Sequence, residues 1–283
     1  MDNQTTSSSS TIIAALSTLT PSQLSRITTT LSTTFHHHHR RLASLLSSPT
    51  LFTHTLNHLY SLSLPQKSLL IAHHLLYFFH LLQPFFPTFP PYSRRLRLRD
   101  LDSVLLLLYF CEIRQYQPNS LDTSPLHWHH ILTSHFSDTV LKLSGLQMSS
   151  FDVLVTFVDR VVKCRRFVSA KGCGGDMARR EMAASVGAVV ALPSVEVKSG
   201  GECVECTICR VELGKERDVC ELPCQHLFHW MCVLPWFSKR NTCPCCRFRL
   251  PTDDVYGELE QVWDAVVKIG RQISHPLENQ IVG

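Results

Sequence analysis

A run of cysteines and histidines between Cys206 and Cys246 constrains the fold of this chain more than any other feature. Eight candidate metal ligands fall there into four pairs: Cys206/Cys209, Cys224/His226, His229/Cys232 and Cys243/Cys246. Three pairs enclose two residues, a spacing that lets one turn of backbone direct two side chains at one Zn²⁺, and the other encloses one. Because a tetrahedral zinc takes four ligands, eight side chains predict two zinc ions.

A disulfide framework is the main alternative, since the chain holds twelve cysteines. Disulfides need an oxidising compartment, and the N-terminus lacks a basic segment followed by an apolar core and a small-residue cleavage site. Two histidines at ligand spacing also have no role in disulfide pairing. The pattern therefore favours zinc. Sites closed by three thiolates and one imidazole leave no position for water, so we expect the zinc to stabilise the fold rather than to hydrolyse a substrate.

The order of the ligands resembles that of the RING-H2 domains of ubiquitin ligases. The resemblance rests on the gaps of 14, 2 and 10 residues between the pairs and on the segments LPCQHLFHWMC, PWF and CPCCR. It implies an interleaved, cross-brace pairing of the ligands. One zinc would be held by Cys206, Cys209, His229 and Cys232, and the other by Cys224, His226, Cys243 and Cys246. Only Leu227 and Phe228 separate the middle pairs, so neither site is expected to form independently.

Three cysteines within or beside the motif are not used as ligands on this assignment, and we expect them to be free or partly buried thiols: Cys203, Cys220 and Cys245. Cys203 also forms a Cys-x-x-Cys with Cys206, which leaves a second register open. Ile208 inside the first pair, and Pro223 and Pro244 beside later ligands, match the family pattern and favour the chosen register.

The resemblance also implies a function and its partners. RING-type ligases bind a ubiquitin-conjugating enzyme charged with ubiquitin and promote transfer to substrate lysines without a covalent intermediate of their own. Ile208, Trp236 and Pro244 match the family's apolar platform for that enzyme, and Arg247 matches its linchpin arginine. The alternatives are a core aromatic for Trp236, a solvated arginine for Arg247, and a non-catalytic zinc adaptor or scaffold for the whole protein.

The first 99 residues are basic, with eight lysines and arginines against Asp2 as the one acid. Residues 1–50 are also rich in serine and threonine, a composition typical of a plastid or mitochondrial transit segment or of a disordered or loosely helical tail. The basic stretches could meet a membrane surface, although a solvated charge run is commoner. No base-reading motif accompanies them, so nucleic acid is not an expected partner.

Residues 51–168 have a helical pattern, with Ser/Thr-Pro starts at Ser48-Pro49 and Ser124-Pro125 and an earlier one at Thr20-Pro21. The apolar runs after Pro65 and at 103–111 are too short to span a bilayer. We expect both to form core helices, with a membrane-surface or partner-binding helix as the alternative.

The remaining chain divides into a linker at 169–202 with one short helical or extended piece, AASVGAVVAL, the zinc domain at 203–250 and an amphipathic helix at 253–273. The helix is predicted from a capping Asp253 or Asp254 and from apolar residues at helical spacing: Val255, Leu259, Val262, Trp263 and Val266. This stripe should pack on the zinc domain or the N-terminal helices, or form a dimer seam. The predicted fold is thus a mostly α N-terminal region, a small zinc-stabilised α+β RING domain and a C-terminal helix.

Phrases along the whole chain resemble plant RING ligases that are associated with amyloplasts and shoot gravitropism: SSPTLF, RLRDLD, RDVCELPCQHLFHW and NTCPCCRFRLPTDDV. The resemblance implies a plastid location with the RING facing the cytosol, where conjugating enzymes are found; a cytosolic protein is the alternative. Residues 1–200 would then bind the protein substrate.

Overall fold

The computed structural model describes residues 2–89, 96–116, 125–143, 149–171, 182–197, 204–214 and 218–274. The surplus Cys203 and the expected cap Ser124 lie outside these ranges. Contacts divide the chain into two compact units, one of Met1–Gly174 with Val262–Gly283 and the other of Gly175–Gln261. Each unit is described by itself.

The first unit is helical, as predicted. Its helices are α1 (Asp2–Ser17), α2 (Pro21–Ser47), α3 (Pro49–Ser61), α4 (Leu64–Leu82), α5 (Leu98–Tyr116), α6 (Pro125–Leu143), α7 (Ser150–Lys171) and the later part of α10 (Val255–Ser274). None of the helices within the described ranges combines the length and the apolar character needed to cross a bilayer.

The predicted Ser/Thr-Pro helix starts are confirmed at α2 and α3. The Thr20 side chain accepts a hydrogen bond from the Gln23 N–H, and the Gln23 side chain accepts one from the Thr20 N–H. Ser48 caps α3 by accepting from the Leu51 N–H. Each cap satisfies backbone donors that the first helical turn leaves unpaired.

Most of the segment predicted to be transit-like or a tail forms α1 and α2, with side chains in the core. Leu31 and Leu45 are fully buried. Threonines on the same helix are buried as well, because their hydroxyls donate to carbonyls one turn earlier: Thr28 to Ser25 and Thr34 to Thr30. A hydroxyl satisfied within its own helix can enter an apolar core at little cost.

The apolar runs after Pro65 and at 103–111 form α4 and α5 and are core helices, as predicted. Phe78 of α4 is fully buried, and its ring centre lies 6.1 Å from that of Phe157 on α7. On α5, Asp102 accepts two hydrogen bonds from the Arg41 guanidinium of α2, at 2.6 and 2.7 Å. This bidentate pair fixes the register of α2 against α5.

The apolar stripe of α10 is buried along its length. In the first unit, Trp263 packs edge-on against Phe79, and the Arg165 guanidinium lies 3.6 Å from the centre of its indole. This part of the stripe therefore packs on the N-terminal helices, one of the two expected partners. At the start of α10 the capping residue is Asp254, which accepts from the Tyr256 and Gly257 N–H groups.

The second unit contains α8 (Val186–Val190), β1 (Ser194–Val195), β2 (Val219–Glu221), β3 (Leu227–His229) and α9 (Trp230–Phe237). The strands form one antiparallel sheet in the order β1-β2-β3, with Cys220 opposite both Ser194 and Phe228. Its small core is built around Phe228, Val233 and Phe237. Strands and helices in one small unit confirm the predicted α+β class.

Candidate metal centre

Two turns of similar build carry the first and last ligand pairs. At the first, the Cys206 N–H donates to the Val211 carbonyl and the Arg210 N–H to the Cys206 carbonyl. At the last, the Cys243 N–H donates to the Phe248 carbonyl and the Arg247 N–H to the Cys243 carbonyl.

The residue after the second cysteine has a left-handed conformation in both turns, with φ of 59° at Arg210 and 60° at Arg247. This conformation reverses the chain immediately after the ligand pair. Both cysteines of a pair are thereby held on the inside of one tight turn.

The middle pairs are positioned by the sheet and by α9. Cys224 and His226 lie in the loop between β2 and β3, where Gln225 has φ of 64°. His229 ends β3, and Cys232 follows in the first turn of α9. His226, which precedes β3, and His229, which ends it, belong to different groups of ligands. The short strand therefore links the two predicted metal sites.

The structure brings the eight side chains together as two groups: Cys206, Cys209, His229 and Cys232 in one, and Cys224, His226, Cys243 and Cys246 in the other. Within each group the ligand atoms lie within 4.8 Å of one another. Four donors around a zinc with Zn–S distances of about 2.3 Å are separated by roughly 3.8 Å, so these groups have the size of a zinc site. The first and third pairs combine, as do the second and fourth, which is a cross-brace.

Each histidine faces its group with Nδ1. His229 Nδ1 lies 3.3 Å from Cys209 Sγ and 4.0 Å from Cys232 Sγ, and His226 Nδ1 lies 3.4 Å from Cys224 Sγ. His229 Nε2 is buried without a hydrogen-bond partner among the described residues. Metal binding through Nδ1 would place the ring proton on Nε2.

The two groups fit zinc by the chemistry of their donors. Three thiolates and one imidazole form a closed tetrahedral set, typical of structural zinc, and the two groups supply the ligands for two such ions. Burial raises the pKa of Cys206, but backbone hydrogen bonds from Cys209, His229 and Ile208 outweigh it and lower that pKa. Burial and the neighbouring thiols raise the pKa of Cys232 in the same group, so the thiols of one group titrate together and metal binding would release their protons.

Comparisons with known proteins agree with this geometry. Residues 204–247 match the Ring finger domain family. The chain is 46% identical to the E3 ubiquitin-protein ligase SGR9, amyloplastic, of Arabidopsis thaliana, over 89% of this chain and 93% of that relative. The chain belongs to the family of RING-type E3 ubiquitin-protein ligases.

Two further relatives match the ligase over a shorter stretch. The E3 ubiquitin-protein ligase RNF181 of Rattus norvegicus is 48% identical over 23% of this chain and 40% of its own length. The E3 ubiquitin-protein ligase RING1-like of Arabidopsis thaliana is 46% identical over 25% of this chain and 23% of its own length.

The residues expected to contact a conjugating enzyme lie on the surface of this ligase or close to it. Ile208 is 39% exposed on the first turn, Pro244 is half-buried on the last, and Arg247 is exposed. Half-buried Trp236 donates its indole N–H to the Thr242 carbonyl at 2.7 Å. The Thr207 hydroxyl lies 3.3 Å from Cys245 Sγ, so the first and last turns touch at this surface.

The surplus cysteines differ in their surroundings. Cys220 is buried in β2, and burial followed by the charge of Glu221 raises its pKa to about 11. It is therefore an inert core thiol. Cys245 is exposed beside Thr207, while Cys203 falls outside the described residues.

Sequence reasoning missed the contribution of residues 182–197 to the RING unit. They were expected to be a linker, but β1 pairs with β2, and Ala184 forms an isolated bridge with Thr252. Ser185, which caps α8 by accepting from the Ala188 N–H, was the available signal. A serine before a short apolar run is a common helix start, but it does not reveal a strand partner.

Proposed function

We propose that this RING ligase binds a ubiquitin-conjugating enzyme charged with ubiquitin and promotes transfer to substrate lysines without a covalent intermediate of its own. The two closed metal groups beneath a surface formed by the first and last turns carry this proposal. Their thiolates are committed to metal, so they are not free to attack a thioester.

The described cysteines outside the metal groups support a non-covalent route. Burial raises the pKa of Cys164 to about 12, that of Cys220 to about 11, and that of Cys111 above its usual value. Cys245 contacts the Thr207 hydroxyl, which cannot serve as a general base. Bond making therefore falls to the conjugating enzyme and the substrate.

This chain would accelerate transfer by orientation. Ile208, Trp236 and Pro244 offer apolar contact for the conjugating enzyme, and a partly buried tryptophan is a common interface anchor. The Arg247 backbone is fixed by its hydrogen bond to the Cys243 carbonyl, so its guanidinium projects from a rigid turn. Its planar donors can bridge the conjugating enzyme and ubiquitin and hold the thioester in a reactive conformation.

A reconstituted reaction tests this function. Zinc-loaded full-length protein, incubated with ubiquitin, activating enzyme and a panel of charged conjugating enzymes, should become self-ubiquitinated with at least one of them. It should not form a reductant-sensitive adduct with ubiquitin. Zinc-loaded protein that accelerates discharge from no member of the panel would instead favour a non-catalytic zinc adaptor.

We also propose that the ligase works at the plastid or amyloplast surface, with its RING in the cytosol, and acts in gravitropism. The similarity to an amyloplastic relative over most of both chains supports this location. The excess of basic residues in the first 99 residues would favour an anionic membrane surface. Full-length protein with a fluorescent reporter should mark isolated plastids and remain open to added protease; protection inside them, or a diffuse cytosolic signal, would contradict the proposal.

Substrate recognition is assigned in this proposal to residues 1–200. Within the helical unit, Phe151 and Val155 lie one turn apart on α7 and are 72% and 49% exposed, an apolar surface that a protein substrate could cover. Replacing both with serine should reduce substrate capture and leave self-ubiquitination unchanged. Equal capture by this variant and the unchanged chain would place recognition elsewhere.

A further inference from the structure

The segment at residues 182–197, here named the upstream strap, lies before the family match at 204–247 but is hydrogen-bonded into the RING unit. The Ala184 N–H donates to the Phe237 carbonyl at 2.9 Å, and the Ser185 N–H donates to the Pro251 carbonyl at 2.8 Å. In return, the Thr252 hydroxyl donates to the Ala183 carbonyl at 2.8 Å.

The second half of the strap is anchored to the sheet. Strand β1 pairs with β2, and the Glu221 N–H donates to the Pro193 carbonyl. The Ser194 hydroxyl accepts a hydrogen bond from the Trp230 indole N–H at 2.8 Å. Leu192 is buried in the same core as Phe228. The strap is therefore part of the folded unit at both of its ends.

The hydrogen bond from Ala184 at the start of the strap is made to the residue next to Trp236, one of the residues proposed to contact the conjugating enzyme. Phe237, whose carbonyl accepts from Ala184, follows Trp236 at the end of α9. The last carbonyls of a helix have no partner within the helix, so the Ala184 N–H supplies one. Trp236 is in turn held by the hydrogen bond from its indole to the Thr242 carbonyl.

The turn that carries Pro244 and Arg247 is closed beside the same anchor. Its base is formed by buried Asn241. The side-chain N–H of Asn241 donates to the Leu250 carbonyl, and the backbone carbonyl of Asn241 accepts from the Leu250 N–H. The next two residues, Pro251 and Thr252, are those that the strap binds. One short segment thus holds both the end of α9 and the base of the last turn.

We propose that the upstream strap is a positioning element of the ligase, which fixes Trp236 relative to Pro244 and Arg247 and thereby sets the affinity for the charged conjugating enzyme. The inference rests on the proposed function. Ala184 and Thr252 are its positioning residues. They contact no partner in this scheme and act through the end of α9 and the base of the last turn.

Two substitutions in the full-length chain test this role by different routes. Ala184→Pro removes the N–H that the Phe237 carbonyl accepts. Thr252→Val removes the hydroxyl that binds Ala183 and nearly preserves side-chain volume, whereas Thr252→Ser keeps the hydroxyl and should restore function. Val190→Ala, at a strap residue that is 78% exposed, is the matched control.

The measurement is the rate of ubiquitin discharge at increasing concentrations of the charged conjugating enzyme, together with the zinc content of each variant. We expect Ala184→Pro and Thr252→Val to retain two zinc ions and to raise KM for the charged enzyme about fivefold, the scale of one lost hydrogen bond. The maximal rate should change less than KM, and Thr252→Ser and Val190→Ala should match the unchanged chain.

The outcomes separate this inference from the function on which it rests. An unaltered KM in both test variants, with zinc retained and normal discharge by the unchanged chain, would overturn the positioning role alone. Loss of zinc from both variants would also overturn it, because the strap would then only support the metal groups. If Ala184→Pro alone loses zinc, Thr252→Val tests the positioning role: a raised KM would support the role, and an unaltered KM would overturn it. Failure of the unchanged chain to discharge any enzyme would remove the proposed function and this inference together.

Discussion

The two arginines that follow the outer ligand pairs have the same backbone and different expected roles. Arg210 and Arg247 each lie after the second cysteine of a Cys-x-x-Cys turn, with φ of 59° and 60°. Each donates its N–H to the carbonyl of the first cysteine. Backbone geometry therefore does not distinguish the two arginines. Any functional difference must come from the contacts that each guanidinium makes with a partner protein.

Arg247→Ala should slow ubiquitin transfer about tenfold and leave both zinc ions in place, because it removes the proposed bridge to ubiquitin and no zinc ligand. Arg210→Ala is the matched control, since it carries the same cost of placing alanine at positive φ. Discharge rates and zinc content would be measured for both. Equal rates for the two variants would rule out the linchpin role.

Asp102 illustrates how a single carboxylate matters in a region with few acids. It is 4% exposed, and both of its oxygens accept from Arg41. Asp102→Asn should reduce the free energy of unfolding of the helical unit by about 3 kcal/mol, since it leaves the arginine without its charge partner. Asp100→Asn is the control: Asp100 is 23% exposed and lies 3.7 Å from His58. Denaturant unfolding that gives both variants the same small loss would contradict this role.

At the scale of elements, three helices bring basic side chains close together in the core. His38 of α2 and His74 of α4 are buried with ring centres 5.3 Å apart. The positive charge of Arg160 on α7 lowers the pKa of both histidines. Burial, then the charges of Arg160 and His37, lower the pKa of His38 to about 4. Burial, then His38 and Arg160, lower the pKa of His74 well below its usual value. Both rings are therefore neutral in the folded protein.

This arrangement predicts acid sensitivity of the helical unit. Unfolded histidines bind protons near pH 6.5, whereas folded His38 does so only near pH 4, so the unfolded state binds more protons between these values. Stability should be complete above pH 6.5 and fall as the pH is lowered towards 4. Thermal unfolding across this range would show a smaller loss for His74→Leu than for the unchanged chain. Parallel curves would contradict the assignment.

Helix starts and ligand pairs were predictable from the sequence, because each depends on a few neighbouring residues. Thr20-Pro21 and Ser48-Pro49 marked helix starts because cap and proline act within one turn. The cysteine and histidine spacing marked the metal ligands, because a tight turn fixes which side chains can share an ion. Pairing between β1 and β2 was not predictable, since two-residue β1 has no periodicity and its partner is distant in sequence. Burial of Thr28 and Thr34 in α2 was not predictable from serine and threonine composition, because it depends on hydrogen bonds that their hydroxyls make within the helix.

At the scale of the whole molecule, the two units are stabilised by different means. The helical unit has an extensive apolar core that includes Leu75, Phe78 and Phe157. The RING unit has a small core, and its ligand-bearing stretch, residues 206–246, is close to the length below which metals or disulfides are usually needed for folding. Its ligand pairs alternate between two metal groups, so the ions hold together chain segments that would otherwise separate. The proposed orientation of the conjugating enzyme by Ile208, Trp236 and Pro244 depends on the zinc-stabilised fold of the RING unit.

Native mass spectrometry of the full-length protein during titration with a chelator tests this scaffold most directly. We expect two zinc ions per chain, lost together as the RING unit unfolds, because Leu227 and Phe228 alone separate ligands of different groups. Discharge of the charged conjugating enzyme should disappear at the same chelator concentration. Accumulation of a folded, active species with one zinc, or with none, would contradict the account.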